Sequence, residues 1–86
     1  MIENEKFERH LRESNLSENT ISSYMFAIKQ YNQQYDDVAQ KKLREYKVWL
    51  IENYKPNTVN LRLRALNCYL ECIGKEKLKL SFVRVQ

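Results

Sequence analysis

Cysteine, histidine and tyrosine, three side-chain types able to do covalent or metal-binding chemistry, number two, one and six in this 86-residue sequence. Cys68 and Cys72 lie four apart, which places them on one helix face. A structural zinc site needs four ligands, however, and neither a second cysteine pair nor paired histidines accompany them. Reduced, partly buried thiols are the expected state. His10 stands alone, so no Ser-His-Asp, Cys-His or two-histidine metal arrangement can be drawn, and a self-contained hydrolase of those types is excluded. The sole glycine, Gly74, falls where a helix should end, which leaves no glycine-rich phosphate loop. Tyr24, Tyr31, Tyr35, Tyr46, Tyr54 and Tyr69 all fall on or beside apolar helix faces. That pattern predicts buried rings with hydroxyls at the rim, a structural use rather than a nucleophilic one. No metal, cofactor or small-molecule substrate is expected.

Binding chemistry is more legible. Sliding the sequence on itself by 38 residues aligns Asn19, Thr20 and Ile21 with Asn57, Thr58 and Val59, and Ala27, Ile28 and Tyr31 with Ala65, Leu66 and Tyr69. The first turn of a helix carries unpaired backbone N–H groups and the positive end of the helix dipole. Short polar residues there, Asn19, Thr20 and Ser23 in one helix and Asn57, Thr58 and Asn60 in the other, allow a phosphate to approach closely. Two such helices crossing near their N-terminal halves would offer a polar saddle to a duplex, ringed by Lys29, Lys55, Arg62 and Arg64. Helical spacing sets Asn57, Asn60, Arg64 and Asn67 along one solvent-facing stripe, with Arg62 on the flank. Two helices with similar starts and similar cores also converge by chemistry alone, and each arginine taken singly reads equally well as a solvated face.

The elements that must position these residues follow from periodicity. Phe7 and Leu11, with Ser14 in the same spacing, predict a first amphipathic helix over 3–14 that stops at Asn15, with Glu5, Arg9, Arg12 and Glu13 outside. Ser17 suits an N-cap, and it puts Leu16 and Ile21 at the two positions of a hydrophobic staple. The second helix then runs to about Tyr35 with Ile21, Tyr24, Ile28, Tyr31 and Tyr35 inward, while Phe26 lies off that stripe. Asp36 and Asp37 suit the start of a third helix over 39–54, with Leu43, Tyr46, Leu50 and Tyr54 inward and Val48, Trp49 and Ile51 widening the apolar surface. Pro56 ends that helix and opens a fourth over 56–73, built on Val59, Leu63, Leu66, Leu70 and Ile73 and closed by Gly74. From Leu78 the pattern alternates as in an extended segment that needs a neighbour.

Composition agrees with a helical bundle. One Gly and one Pro leave few residues for tight turns, and 43% hydrophobic with 30% charged residues suits a single small domain with a wet surface. The net charge of +4 is unevenly placed, −2 over residues 1–18 and +6 over 19–86, which favours a polyanionic partner. No apolar run approaches the length of a membrane span and the first residues lack a leader pattern, so a cytoplasmic protein is expected.

Leu16, Ser17, Glu18, Asn19, Thr20, Ile21 and Tyr24, followed by Asn57, Thr58, Val59, Asn60, Arg62, Leu63, Ala65, Leu66 and Tyr69, resemble the N-terminal core-binding domain of tyrosine recombinases, the phage-integrase family. The resemblance runs from about Phe7 into the tail Phe82, Val83, Arg84, Val85 and Gln86. It implies an all-α, SAM-like orthogonal bundle of four to five helices with an extended C-terminal tail. By the same resemblance, residues 1–77 form the DNA-binding domain and 78–86 lead to a catalytic domain. The second and fourth helices would face the major groove as half of a clamp. Asn19, Thr20, Ser23, Lys55, Asn57, Thr58 and Asn60 match positions near phosphates or bases, and Arg62 and Arg64 match its edge. Leu61 and Arg64 replace residues that are often small and polar in the family. The cleaving and rejoining chemistry of such proteins resides in the separate domain, through an arginine pair, a lysine, a histidine-containing box and a tyrosine. Here His10 is followed three residues later by Glu13 rather than Arg, so this chain is expected to bind without cutting.

The expected function is therefore a non-catalytic module that holds double-stranded DNA for a site-specific recombinase, in company with other recombinase protomers. A helical protein-interaction module is the alternative. A small helix-turn-helix repressor fits less well, because Pro56 stands in place of the short glycine turn between helices three and four.

Overall fold

The computed structural model describes residues 4–85, so Glu3 at the head of the expected first helix and Gln86 at the end of the tail lie outside it. Four helices follow one another: α1 (Asn4–Glu13), α2 (Glu18–Gln34), α3 (Gln40–Asn53) and α4 (Pro56–Cys72), then a single 3-10 turn at Glu76–Leu78. Among the described residues there is no strand, and no helix is long and apolar enough to cross a membrane.

The boundaries have local causes. At the end of α1, Asn15 takes a left-handed φ of 60°, a conformation asparagine tolerates. Ser14 does not join the core; its hydroxyl donates to the His10 carbonyl at 2.9 Å. Ser17 caps α2 as its spacing predicts, its Oγ accepting the Thr20 N–H at 3.2 Å. Gly74, at φ 75°, lets the chain reverse after α4: the Gly74 N–H reaches the Glu71 carbonyl at 3.2 Å and the Lys75 N–H reaches Leu70 at 2.8 Å. These are the paired bonds of a Schellman ending. The start of α3 departs from expectation. Ala39 occupies the N-cap without a side-chain bond, and Asp37 instead pairs with Lys42 one turn into the helix.

One core joins all four helices. Phe7 and Leu11 enter from α1, Ile21 to Tyr31 from α2, Leu43, Tyr46 and Leu50 from α3, and Val59 to Leu70 from α4. Phe7 meets Tyr69 edge to face at 5.3 Å, which ties α1 to α4. Tyr31 meets Tyr46 edge to face at 5.2 Å and Tyr46 stacks on Trp49 at 5.8 Å, so aromatic rings join α2 to α3. The expectation that Val48 and Ile51 widen the buried face of α3 is corrected: they are 55% and 49% exposed. Leu43, Tyr46 and Leu50 already fill the inward stripe, and Val48 and Ile51 point away from it.

The phenols give this core an alkaline limit. The Tyr31 hydroxyl donates to the Asp37 carbonyl at 2.8 Å, and burial, with Asp37 and Tyr35 adding, pushes its pKa up to about 12. Burial pushes Tyr46 up further. Because the unfolded chain releases these protons near pH 10, their contribution is complete below about pH 10 and is lost as pH rises through 12. Helical circular dichroism and phenolate absorbance should therefore change together above about pH 10. Ordinary ionisation of all six tyrosines in a chain that stays helical would show the burial argument to be wrong.

Candidate nucleic-acid interface

The two helix starts are not built alike. At α2, Ser17 engages the Thr20 N–H and also donates to the Thr20 hydroxyl at 3.0 Å. The acidic Glu18 in its first turn is held by Arg12, which also bridges to Glu8 at 3.0 Å. That pairing neutralises a carboxylate that would otherwise repel a phosphate beside Asn19. At α4 the N-cap is Lys55, which makes no side-chain cap, and Pro56 supplies no N–H. The first-turn donors of Asn57 and Thr58 thus have no N-cap side chain competing for them.

Nor do the starts lie side by side. Asn19, Thr20 and Ser23 meet Leu61 and Arg64; further along α2, Phe26 meets Arg62, and Gln30 reaches Tyr54 just ahead of α4. Along this sequence of contacts α2 advances while α4 retreats, so the helices run in opposite senses and their starts sit at opposite ends of a shared face. The expectation of adjoining starts is corrected to a strip with one start at each end.

Along the strip the candidate residues fall into two groups. Asn19, Thr20, Ser23 and Arg64, with Tyr24 and Leu61, line an open cleft of about 200 Å³. Arg64 is exposed and lies close enough to the Tyr24 hydroxyl to oppose the upward pKa shift that burial imposes on that phenol. In the second group the Arg62 guanidinium lies 4.6 Å from the Phe26 ring centre and 5.5 Å from that of Tyr54. Arg62 is half-buried rather than free, and its Nε is buried without a hydrogen-bond partner. Phe26, off the main stripe of α2 as its spacing predicts, is 54% exposed with one face on this arginine. Lys29 and Lys55 are both exposed.

Of the stripe Asn57, Asn60, Arg64 and Asn67, Asn57 and Arg64 are exposed as expected, whereas Asn60 and Asn67 face a neighbour rather than open solvent. The Asn67 amide donates to the Leu80 carbonyl at 2.9 Å and accepts the Leu80 N–H at 2.8 Å. Asn60 does the same for Val83, at 2.9 and 2.8 Å. Lys47 from α3 donates to the Ser81 carbonyl at 2.6 Å, and Arg64 lies 5.8 Å from the Phe82 ring centre. The tail thus runs antiparallel to α4, and its neighbour is a pair of side-chain amides. Seven residues of helix rise about 10.5 Å and three extended residues about 10 Å, which is why Asn60 and Asn67 match Val83 and Leu80. That match is the signal hidden in the sequence, where amides on a polar face suggest only solvent.

The remaining reactive groups are occupied structurally. Cys68 and Cys72 are free, half-buried thiols, and burial chiefly, with Glu71 adding, pushes Cys68 above the usual thiol range, away from reactivity. Tyr46 donates to Gln30 Oε1 at 2.6 Å and Gln30 donates to the Tyr54 hydroxyl at 3.0 Å. Among the described residues no cluster of acidic, histidine or cysteine side chains could hold a metal ion.

The family model described as phage integrase, N-terminal SAM-like domain, matches residues 4–80. No curated protein and no solved structure matches the chain.

Proposed function

Because the chain belongs to the phage integrase N-terminal SAM-like domain family, a non-catalytic region of tyrosine recombinases, we propose that it binds duplex DNA through the strip shared by α2 and α4. The observation that carries this reading is the cleft in which Arg64 joins Asn19, Thr20 and Ser23. A cation beside short donors at a helix start is the chemistry a phosphate requires. Lys29, Lys55 and the first turn of α4 extend the same strip, and residues 19–86 carry the chain's excess positive charge. On this reading residues 1–77 are the DNA-holding unit, 78–86 lead toward a catalytic domain, and other protomers assemble on the same DNA.

Roughly four to six phosphate contacts give a log affinity that falls with log salt at a slope of about −4 to −5. Lys55→Ala should weaken binding on all sequences and make that slope shallower by about one. Asn19→Ala, in the phosphate cleft, should likewise weaken binding on all sequences, whereas Asn57→Ala should alter preference among sequences instead. Affinity for duplex that ignores salt would exclude the reading. The exposed pair Val48 and Ile51 favours a second reading as a protein-interaction module. A stable oligomer on sizing chromatography, with no shift of labelled duplex, would select it.

A further inference from the structure

We propose that residues 79–85 form a releasable strap that competes with duplex DNA for the outer face of α4. The proposal rests on the DNA-binding reading and adds its regulation. Two residues of the candidate interface, Asn60 and Arg64, are engaged by the tail: Asn60 by both polar groups of Val83, Arg64 by the ring of Phe82. A phosphate approaching Arg64 from the Asn19 side of the cleft meets a guanidinium already partly covered, and Asn60 already has one amide N–H and its carbonyl oxygen engaged by Val83.

The manner of attachment suits release. The strap is held mainly by polar contacts that water can replace, through Asn60, Asn67 and Lys47. Leu80 and Val83 pack against the core, but Phe82 and Val85 remain about half exposed. Net hydrogen-bond energies are small once water competes, and ordering an extended segment opposes them, so docked and released states are close in free energy. The near end is anchored by the 3-10 turn and by Lys79 pairing with Glu71 at 2.6 Å, which lets the far end leave while its root stays in place. Release frees Asn60 and Arg64 together with Lys47. The strap is therefore an internal competitor with a polyanion.

Asn67 holds the strap but lies outside the candidate DNA set, so Asn67→Ala tests the idea without removing a proposed DNA contact. Phe82→Ala is the companion variant, which uncovers Arg64 and leaves α4 unchanged. In a titration of labelled random-sequence duplex at low salt, both variants should bind about three- to tenfold more tightly than the parent chain. Reciprocity requires that saturating duplex speed hydrogen exchange of the Leu80 and Val83 amides in the parent chain. Duplex binding that leaves those amides protected, with neither variant tighter, would overturn the strap and leave the DNA reading standing. Binding by the variants but not by the parent would support both. No binding by any of the three chains would overturn the DNA reading and the competition with it.

Discussion

Replacing Tyr46 by alanine is expected to cost about 3–5 kcal/mol, a large part of the roughly 4–13 kcal/mol available to a domain of this length. The side chain is fully buried and links α3 to Tyr31 and Gln30 of α2. Its ring meets Tyr31 and Trp49 at 5.2 and 5.8 Å, and Tyr35 at 6.3 Å. Alanine would leave a cavity bounded by rings that cannot collapse into it without breaking their own contacts. The hydroxyl is the smaller part of the effect. Tyr46→Phe keeps the packing and removes one bond to Gln30, whose half-buried amide is near enough to solvent to find water, so a loss of about 1 kcal/mol is expected. Urea denaturation of both variants separates the contributions: the midpoints should differ strongly while the slope stays constant. A Tyr46→Ala midpoint close to that of Tyr46→Phe would mean that α3 is held by something other than this aromatic cluster.

The same cluster shows what a linear pattern conveys. Tyr24, Tyr31 and Tyr46 are legible as inward because apolar spacing marks a face, and Ser17, Leu16, Ile21, Pro56 and Gly74 are legible because capping and turn chemistry are local. A face does not say which helix it meets or in what sense. The echo between Asn19-Thr20 and Asn57-Thr58 therefore suggested adjoining starts, whereas α2 and α4 run in opposite senses and separate them. Equally, a polar stripe does not distinguish water from another stretch of backbone, since both supply donors and acceptors. Asn60 and Asn67 read as solvent-facing for that reason, yet they pair with Val83 and Leu80 respectively. Arg62 shows the converse: a charge assigned to a flank lies between two aromatic rings, because a guanidinium plane packs like an aromatic one. Of the candidate site, residue types and the helix starts were readable, and their grouping into a cleft and a stack was not.

Arg64→Glu should reduce duplex affinity at low salt by about 30- to 150-fold, corresponding to about 2–3 kcal/mol. The change removes a cation from the cleft it shares with Asn19, Thr20 and Ser23 and puts in its place a carboxylate that repels the same phosphate. Both effects are Coulombic, so the ratio between parent and variant should shrink as salt rises. Folding should be little affected, because the side chain is exposed and glutamate is a good helix former. Arg64→Lys separates charge from shape. Lysine keeps the charge for phosphate but loses the planar stacking on Phe82, so it should bind within a few-fold of the parent while loosening the strap. Parent-like affinity for Arg64→Glu would eliminate the cleft as a phosphate site. A loss shared equally by Arg64→Glu and Arg64→Lys would point to the guanidinium fork, rather than its charge, as the recognising group.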